Sequence, residues 1–183
     1  MYWLVLMVAA LSGGCDPSDE CCEDARPVTG EHHVGRYTNA EYGFSVEIPA
    51  GYVAFNSPAP APDHGIGLLV AESPRAYVYV IANYELPEGA YEAGEQPAIH
   101  SGAQADRPRR IRLGPIDAER VVRRYSCKEG GTQFVEDSVT ARRPGSQSVV
   151  YRIGLNAVAT AYPKSKRVLD QILKTWHLES TIP

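Results

Sequence analysis

Four cysteines carry the most reactive side chains of this chain: Cys15, the adjacent pair Cys21 and Cys22, and Cys127. A thiol can form a disulfide, ligate a metal ion or act as a nucleophile. An adjacent pair followed much later by a lone cysteine does not fit the paired spacing of zinc ligands. In an exported protein we therefore expect Cys127 to pair with Cys21 or Cys22 and to leave one thiol over. A bridge between two molecules, or unpaired thiols near the N-terminus, are the alternatives.

The first fifteen residues indicate the compartment. Residues 2–11 are apolar and uncharged, and small residues at 12–14 lead directly to Cys15. A run of about ten residues is too short to span a bilayer, which takes about twenty, and it predicts a signal peptide over residues 1–14. The segment resembles the lipobox of bacterial lipoproteins, with Ser12 where that motif has an aliphatic residue. The resemblance implies a palmitate-type acyl chain on Cys15. An ordinary secretory signal is the alternative, and a buried N-terminal strand is a third.

Residues 15–36 are predicted to form an acidic, flexible tether, because they show no apolar periodicity. Within 15–30, five carboxylates face Arg26 alone, and the resulting charge of −4 equals that of the whole chain. The remaining domain, 37–183, is therefore close to neutral. This speaks against a nucleic-acid-binding protein, whose binding domain is usually basic.

Seven of the fourteen arginines lie within residues 107–124. On strand geometry Arg110 and Arg112 share one face of a strand, and Arg120 and Arg124 share one face of the next. If the two faces coincide, these four side chains form a basic patch for anionic lipid headgroups or an acidic partner. The alternative is a solvated sheet face balanced by Asp106, Asp117 and Glu119.

Motifs for catalysis are missing from the sequence: GxSxG, HExxH, P-loop and GxGxxG patterns do not occur. His32 and His33 could hold a metal ion weakly, but a solvated pair is the expectation, as are structural or exposed roles for Asp63, His64, His100 and His177. We predict no enzyme, cofactor or metal site. The competing class is an exported, hydrolase-like enzyme that uses Cys127 beside Lys128, or a histidine; its sign would be Cys127 converging with His64, His100 or Asp137.

Most of the chain shows strand patterns. Alternation of apolar and polar residues predicts a strand over 41–48, and a short strand follows at 51–55. Continuous apolar runs at 65–71 and 77–84 predict central strands covered on both faces. Pairs of strands at 109–113 and 116–125, and at 132–142 and 148–160, are joined by turns. The proline-rich stretch 57–63 is a surface loop, and Tyr77, Tyr79 and Tyr84 either line a groove or pack in the core.

Two helices are expected. A broken helix over 86–104 rests on glutamates at helical spacing. A second helix over 163–176 has one apolar stripe, formed by Val168, Leu169, Ile172, Leu173 and Trp176, which must pack on the sheet. The fold class is therefore α+β, with a mostly antiparallel sheet of about six or seven strands flanked by helices.

The layout resembles the PsbP-like superfamily, which includes photosystem II subunit P, DcrB and LpqN-type lipoproteins. The resembling segments are YGFSVEIPAGY at 42–52 and the closing strand and helix at 149–178. The resemblance implies a single α+β domain with a non-enzymatic role in binding or assembly. We therefore expect an envelope lipoprotein, anchored to a membrane on its periplasmic or outer side, whose domain binds an unknown protein or small apolar ligand. A soluble secreted binding protein is the alternative.

Overall fold

A computed structural model describes most of the domain. The described residues are 31–56, 64–71, 76–84, 104–126, 131–143 and 149–179. The predicted signal peptide, the four cysteines, His100, the proline-rich loop and nearly all of the predicted first helix lie outside these ranges. The predictions made for them remain predictions.

The described residues form a nine-stranded antiparallel sheet, a three-stranded antiparallel sheet and one helix. The large sheet has the order β1-β4-β5-β6-β11-β10-β9-β7, with β8 also paired to β9. Its strands are β1 (His32–His33), β4 (Ala54–Asn56), β5 (Gly65–Ala71), β6 (Ala76–Tyr84), β7 (Gln104–Ala105), β8 (Arg109–Leu113), β9 (Ile116–Ser126), β10 (Gln133–Arg143) and β11 (Val149–Val158). The small sheet has the order β12-β3-β2, from β12 (His177–Leu178), β3 (Phe44–Glu47) and β2 (Arg36–Asn39).

The helix α1 (Tyr162–Thr175) covers one face of the large sheet. Pro163 stands in its first turn, where a missing N–H costs nothing. Its apolar stripe is buried in one cluster with the inward side chains of β11, among them Ile153 and Leu155. The prediction that this helix packs on the preceding strand is thus confirmed. We call the sheet face under α1 the core face and the opposite face the outer face.

Alternation along the central strands separates these two faces. In β6 the residues Ala76, Val78, Val80 and Ala82 are buried on the core face, while the residues between them are half-buried on the outer face. β6 is therefore covered fully on one side only, in contrast to the prediction of two covered faces. The outer face of β6 carries tyrosines, and for this reason the sequence of the strand reads as continuously apolar.

Two expectations need correction. The sheet is larger than six or seven strands, because strands of two to four residues extend it and build the second sheet. The ordered domain also begins before residue 37, since His32 pairs with Phe55, His33 pairs with Ala54, and Arg36 opens β2. The sequence predicts the segment 31–36 to be tether, but it is part of the fold. Only one helix occurs in the described ranges, and none there is long and apolar enough to cross a bilayer.

Candidate functional site

The arginines of residues 107–124 are the candidate site with the clearest chemistry. Seven guanidinium groups lie on β8, on β9 and just before β8, at one edge of the large sheet. The structure divides them into four that are engaged by carboxylates and three that are not.

Arg120 links two strands of the sheet to the helix. Its Nε and Nη2 atoms donate to the two carboxylate oxygens of Asp137, each at 2.7 Å, and Asp137 is 0% exposed. Nη2 also donates to Asp170 on α1 at 3.2 Å, and the hydroxyl of Tyr162 donates to Asp137 at 2.8 Å. This network joins β9, β10 and α1 beneath the helix. A buried pair of this kind is costly to break because the remaining partner loses its compensation.

The same contacts shift the titration of the groups around Asp137. The hydrogen bond to Asp137 raises the pKa of Arg120 above its ordinary value. Burial, together with the hydrogen bond to Asp137, raises the pKa of Tyr162 to about 12. Burial opposes ionisation of Asp170, but hydrogen bonds from Lys166 and Arg120 outweigh it and lower the pKa of Asp170. The charged forms of Arg120 and Asp170 are therefore favoured in the fold.

Three further arginines have single acidic partners. Arg112 pairs with Asp117 at 2.8 Å, Arg124 with Asp106 at 2.9 Å, and Arg123 with Glu136 at 3.1 Å. These pairs are largely exposed, so each contributes little to stability. Their main effect is to neutralise the positive charge of Arg112 on β8 and of Arg123 and Arg124 on β9.

Three arginines remain: Arg107, Arg109 and Arg110. All three are exposed, and in the part of the chain that the structure describes no hydrogen bond or ion pair reaches them. Arg109 and Arg110 begin β8, and Arg107 precedes them across Pro108. We call this set the arginine edge.

The strand register shows that the predicted patch is not one surface. Arg110 lies opposite Glu119, and Arg112 lies opposite Asp117, on the outer face. Arg120 lies opposite Val139, which is buried on the core face, and Arg124 lies opposite Val135 on that same face. The four predicted arginines therefore occupy two faces of the sheet. Three of them are already paired with carboxylates.

The histidines have structural contacts rather than a shared site. His33 lies 2.6 Å from the amide oxygen of Asn56, and His64 lies 2.5 Å from that of Asn83. Because an amide oxygen only accepts, each ring nitrogen donates. His177 is exposed in β12. Within the described ranges no three His, Cys, Asp or Glu side chains gather closely enough to hold a metal ion.

The outer face of β6 has a second feature that the sequence motifs did not reveal. The rings of Tyr77 and Tyr79 lie over two glycines, so that a Cβ added at Gly67 would meet the Tyr77 hydroxyl at 2.1 Å, and one added at Gly154 would meet that of Tyr79 at 2.3 Å. Burial, with a smaller effect of nearby Glu136, raises the pKa of Tyr79. The tyrosines therefore pave this face, and Tyr84 packs against the core at the strand end. Gly67 and Gly154 both lie opposite Tyr79, on the two strands that flank β6, so the ring of Tyr79 covers its direct partner Gly154 and the ring of Tyr77 covers Gly67 diagonally.

Sequence comparison identifies no relatives: no family model matches the chain, and no curated protein matches it. Solved structures match by fold. LpqN of Mycobacterium tuberculosis, described as involved in cell envelope biogenesis, has a TM-score of 0.60 at 13% identity, over 82% of this chain and 92% of LpqN. Cyanobacterial PsbP of Synechocystis sp. PCC 6803 has a TM-score of 0.52 at 11% identity, over 91% of this chain and 98% of PsbP.

A protein of Bacteroides thetaiotaomicron VPI-5482 also matches, with a TM-score of 0.51 at 9% identity, over 80% of this chain and 49% of that one. The chain therefore has the PsbP-like fold that the resemblance implied. Identities this low establish the fold alone.

Proposed function

We propose that this chain is a non-catalytic binding domain of a bacterial cell envelope, held at a membrane by a lipid on Cys15. The observation that carries the proposal is the combination of a PsbP-like fold with a lipobox-like leader, since the fold match to LpqN is to a protein described as involved in cell envelope biogenesis. The acidic residues between Cys15 and β1 would serve as the spacer. A flexible segment of about sixteen residues has a typical span of about 20–25 Å, which keeps the domain close to the membrane.

A binding role agrees with how the described polar residues are used. The buried carboxylate of Asp137 is bound by Arg120 and Tyr162, and His33 and His64 are held by asparagines. A general acid or base must direct a ring nitrogen or a carboxylate oxygen at the reacting atoms, and both carboxylate oxygens of Asp137 are engaged within the fold. These side chains instead hold strands and helix together. The partner that we favour is an anionic surface at the arginine edge; a protein or a small apolar ligand is the alternative.

Metabolic labelling tests the lipid tether. Cells that express the chain are fed an alkyne fatty acid, and the purified protein is assayed for label. We expect label on the unaltered protein and none on Cys15→Ala. Cys21→Ala is the matched control, because it removes a thiol six residues further along and leaves Cys15 in place, so it should keep the label. Equal label on the two variants, or no label at all, would contradict acylation at Cys15.

Cell fractionation tests the location. With the tether intact, the protein should sediment with membranes and be released by detergent but not by salt, since an acyl anchor is held by the hydrophobic effect. Cys15→Ala should reduce this detergent-dependent fraction. A protein that stays in the soluble fraction in both forms would favour a soluble secreted binding protein instead.

A further inference from the structure

We propose that the arginine edge, formed by Arg107, Arg109 and Arg110, docks the domain onto an anionic phospholipid surface. The inference rests on the proposed function only for the domain's place beside a membrane; the contact itself is a property of the folded chain. It would give the domain a second attachment besides the tether. The partner is the phosphate layer of the membrane.

The charges at this edge are available for an external partner. Arg112, Arg120, Arg123 and Arg124 each have a carboxylate within 3.1 Å or less, and their positive charge is compensated within the fold. The arginine edge has no such compensation in the part of the chain that is described. Unpaired guanidinium groups bind phosphate oxygens through parallel hydrogen bonds, with a fork geometry that lysine lacks.

The position at a sheet edge lets these side chains meet a plane. Among the described strands β8 pairs with β9 alone, so its other side is not covered by a strand. Arg109 lies opposite Arg120 and Arg110 opposite Glu119, which places the first on the core face and the second on the outer face. The guanidinium groups of Arg109 and Arg110 therefore flank the edge of the sheet from its two faces. A rim of this form fits a flat charged layer better than a concave protein pocket.

The surroundings of the arginine edge also favour a headgroup layer over a folded partner. A stable protein interface usually has an apolar centre with aromatic or methionine side chains. The exposed large hydrophobic side chains among the described residues are Val34, Val53 and Leu69, which lie before β2, before β4 and on β5. The residues beside the arginines are Asp106 and Pro108, both exposed. Electrostatic contact with lipid headgroups needs positive charge and does not need an apolar centre.

Attachment at this edge would orient the domain. The predicted tether enters at β1, at the opposite end of the strand order from β8. Seven strand spacings of about 4.8 Å separate these two edges, or about 34 Å along the sheet. Contact at the arginine edge would hold the β8 side of the sheet against the membrane, while the flexible tether lets β1 lie up to about 20–25 Å from it. The tether alone would leave the domain free to rotate.

Vesicle co-sedimentation tests the proposal. The sample is the chain from residue 15 onward with Cys15→Ser, which keeps every described element and carries no lipid. Each arginine near an anionic surface contributes roughly a fivefold gain in affinity, so Arg107→Gln, Arg109→Gln and Arg110→Gln together should weaken binding to phosphatidylglycerol vesicles about a hundredfold. Glu119→Gln, which removes the carboxylate opposite Arg110, should strengthen binding. Pure phosphatidylcholine vesicles should bind neither the unaltered chain nor the triple arginine variant.

A matched control removes the same charge elsewhere. Lys164, Arg167 and Lys174 are exposed on α1 and have no described partner. Their triple replacement by Gln should leave vesicle binding within a fewfold of the unaltered chain. Equal losses in the two triple variants, or a larger loss in the helix variant, would overturn the proposal, as would binding that is unaffected by the arginine substitutions.

Competition by inorganic phosphate at low concentration would instead indicate a site for a free anion. Circular dichroism confirms folding, and a failed fatty-acid label would leave this result standing.

Discussion

Arg120 and Asp137 form a two-pronged ion pair across neighbouring strands, with Nε–Oδ1 and Nη2–Oδ2 distances of 2.7 Å each. The carboxylate is fully buried and the guanidinium is 20% exposed. Asp170 and Tyr162 extend the pair to α1. An arginine that a sequence pattern places in a surface patch thus takes part in a polar network between helix and sheet, beside the apolar packing of α1 on the sheet.

Asp137→Asn should destabilise the domain strongly. The substitution keeps the size of the side chain but leaves Arg120 partly buried beside a neutral group, and breaking a buried pair in this way costs about 3–5 kcal/mol. Urea denaturation measures the loss. Arg112→Gln is the control, because its pair with Asp117 is exposed and should contribute about 0–1 kcal/mol. Similar losses for the two variants would show that burial of the pair does not matter.

Asp170 should make stability depend on pH in the acidic range. Its folded pKa lies below the ordinary value of 3.8, so its contribution is fully present above that value and is lost as pH falls through the folded pKa. Between about pH 5 and pH 2 the urea midpoint of the unaltered chain should therefore fall more steeply than that of Asp170→Asn. Parallel curves for the two proteins would contradict this assignment.

Gly154→Ala should destabilise the sheet through Tyr79. The added Cβ would lie 2.3 Å from the Tyr79 hydroxyl, so the ring must leave its place on the outer face. Overpacking of this kind costs about 1–3 kcal/mol. In a Tyr79→Ser background the same substitution should cost much less, because the obstacle is gone. Equal costs in both backgrounds would show that the contact is unimportant.

One disulfide is predicted, between Cys127 and either Cys21 or Cys22. Peptide mapping of the protein under non-reducing conditions should find a single internal bridge and one remaining thiol besides Cys15. Cys127→Ser should abolish that bridge and leave both other thiols free. Three free thiols in the unaltered protein, or a bridge between two chains, would contradict the prediction.

The longer elements of the fold could be predicted from the sequence because each has its own periodicity. The strand runs at 65–71 and 109–113 match β5 and β8 residue for residue, and α1 begins one residue before and ends one before the predicted bounds. The short strands β1, β7 and β12 could not be predicted, since two residues show no period. Each depends on a distant partner, as His32 does on Phe55.

The candidate site could be predicted in composition but not in arrangement. The turn at Gly114 and Pro115 pairs Leu113 with Ile116, and counting outward from it places Arg110 opposite Glu119 rather than opposite Arg120. That count could have separated the two faces from the sequence alone. The engagement of Arg120 by Asp137 and Asp170 could not have been found in this way, because it depends on packing between β10 and α1.

The central claim, a domain tethered to an envelope membrane by its N-terminal cysteine, is tested most directly by mass spectrometry of the protein extracted from native membranes. The account predicts that the mature chain begins at Cys15 and that its N-terminal peptide carries the added mass of acyl chains. A chain that still begins at Met1, or one that begins at an unmodified residue and is found free of membranes, would contradict it.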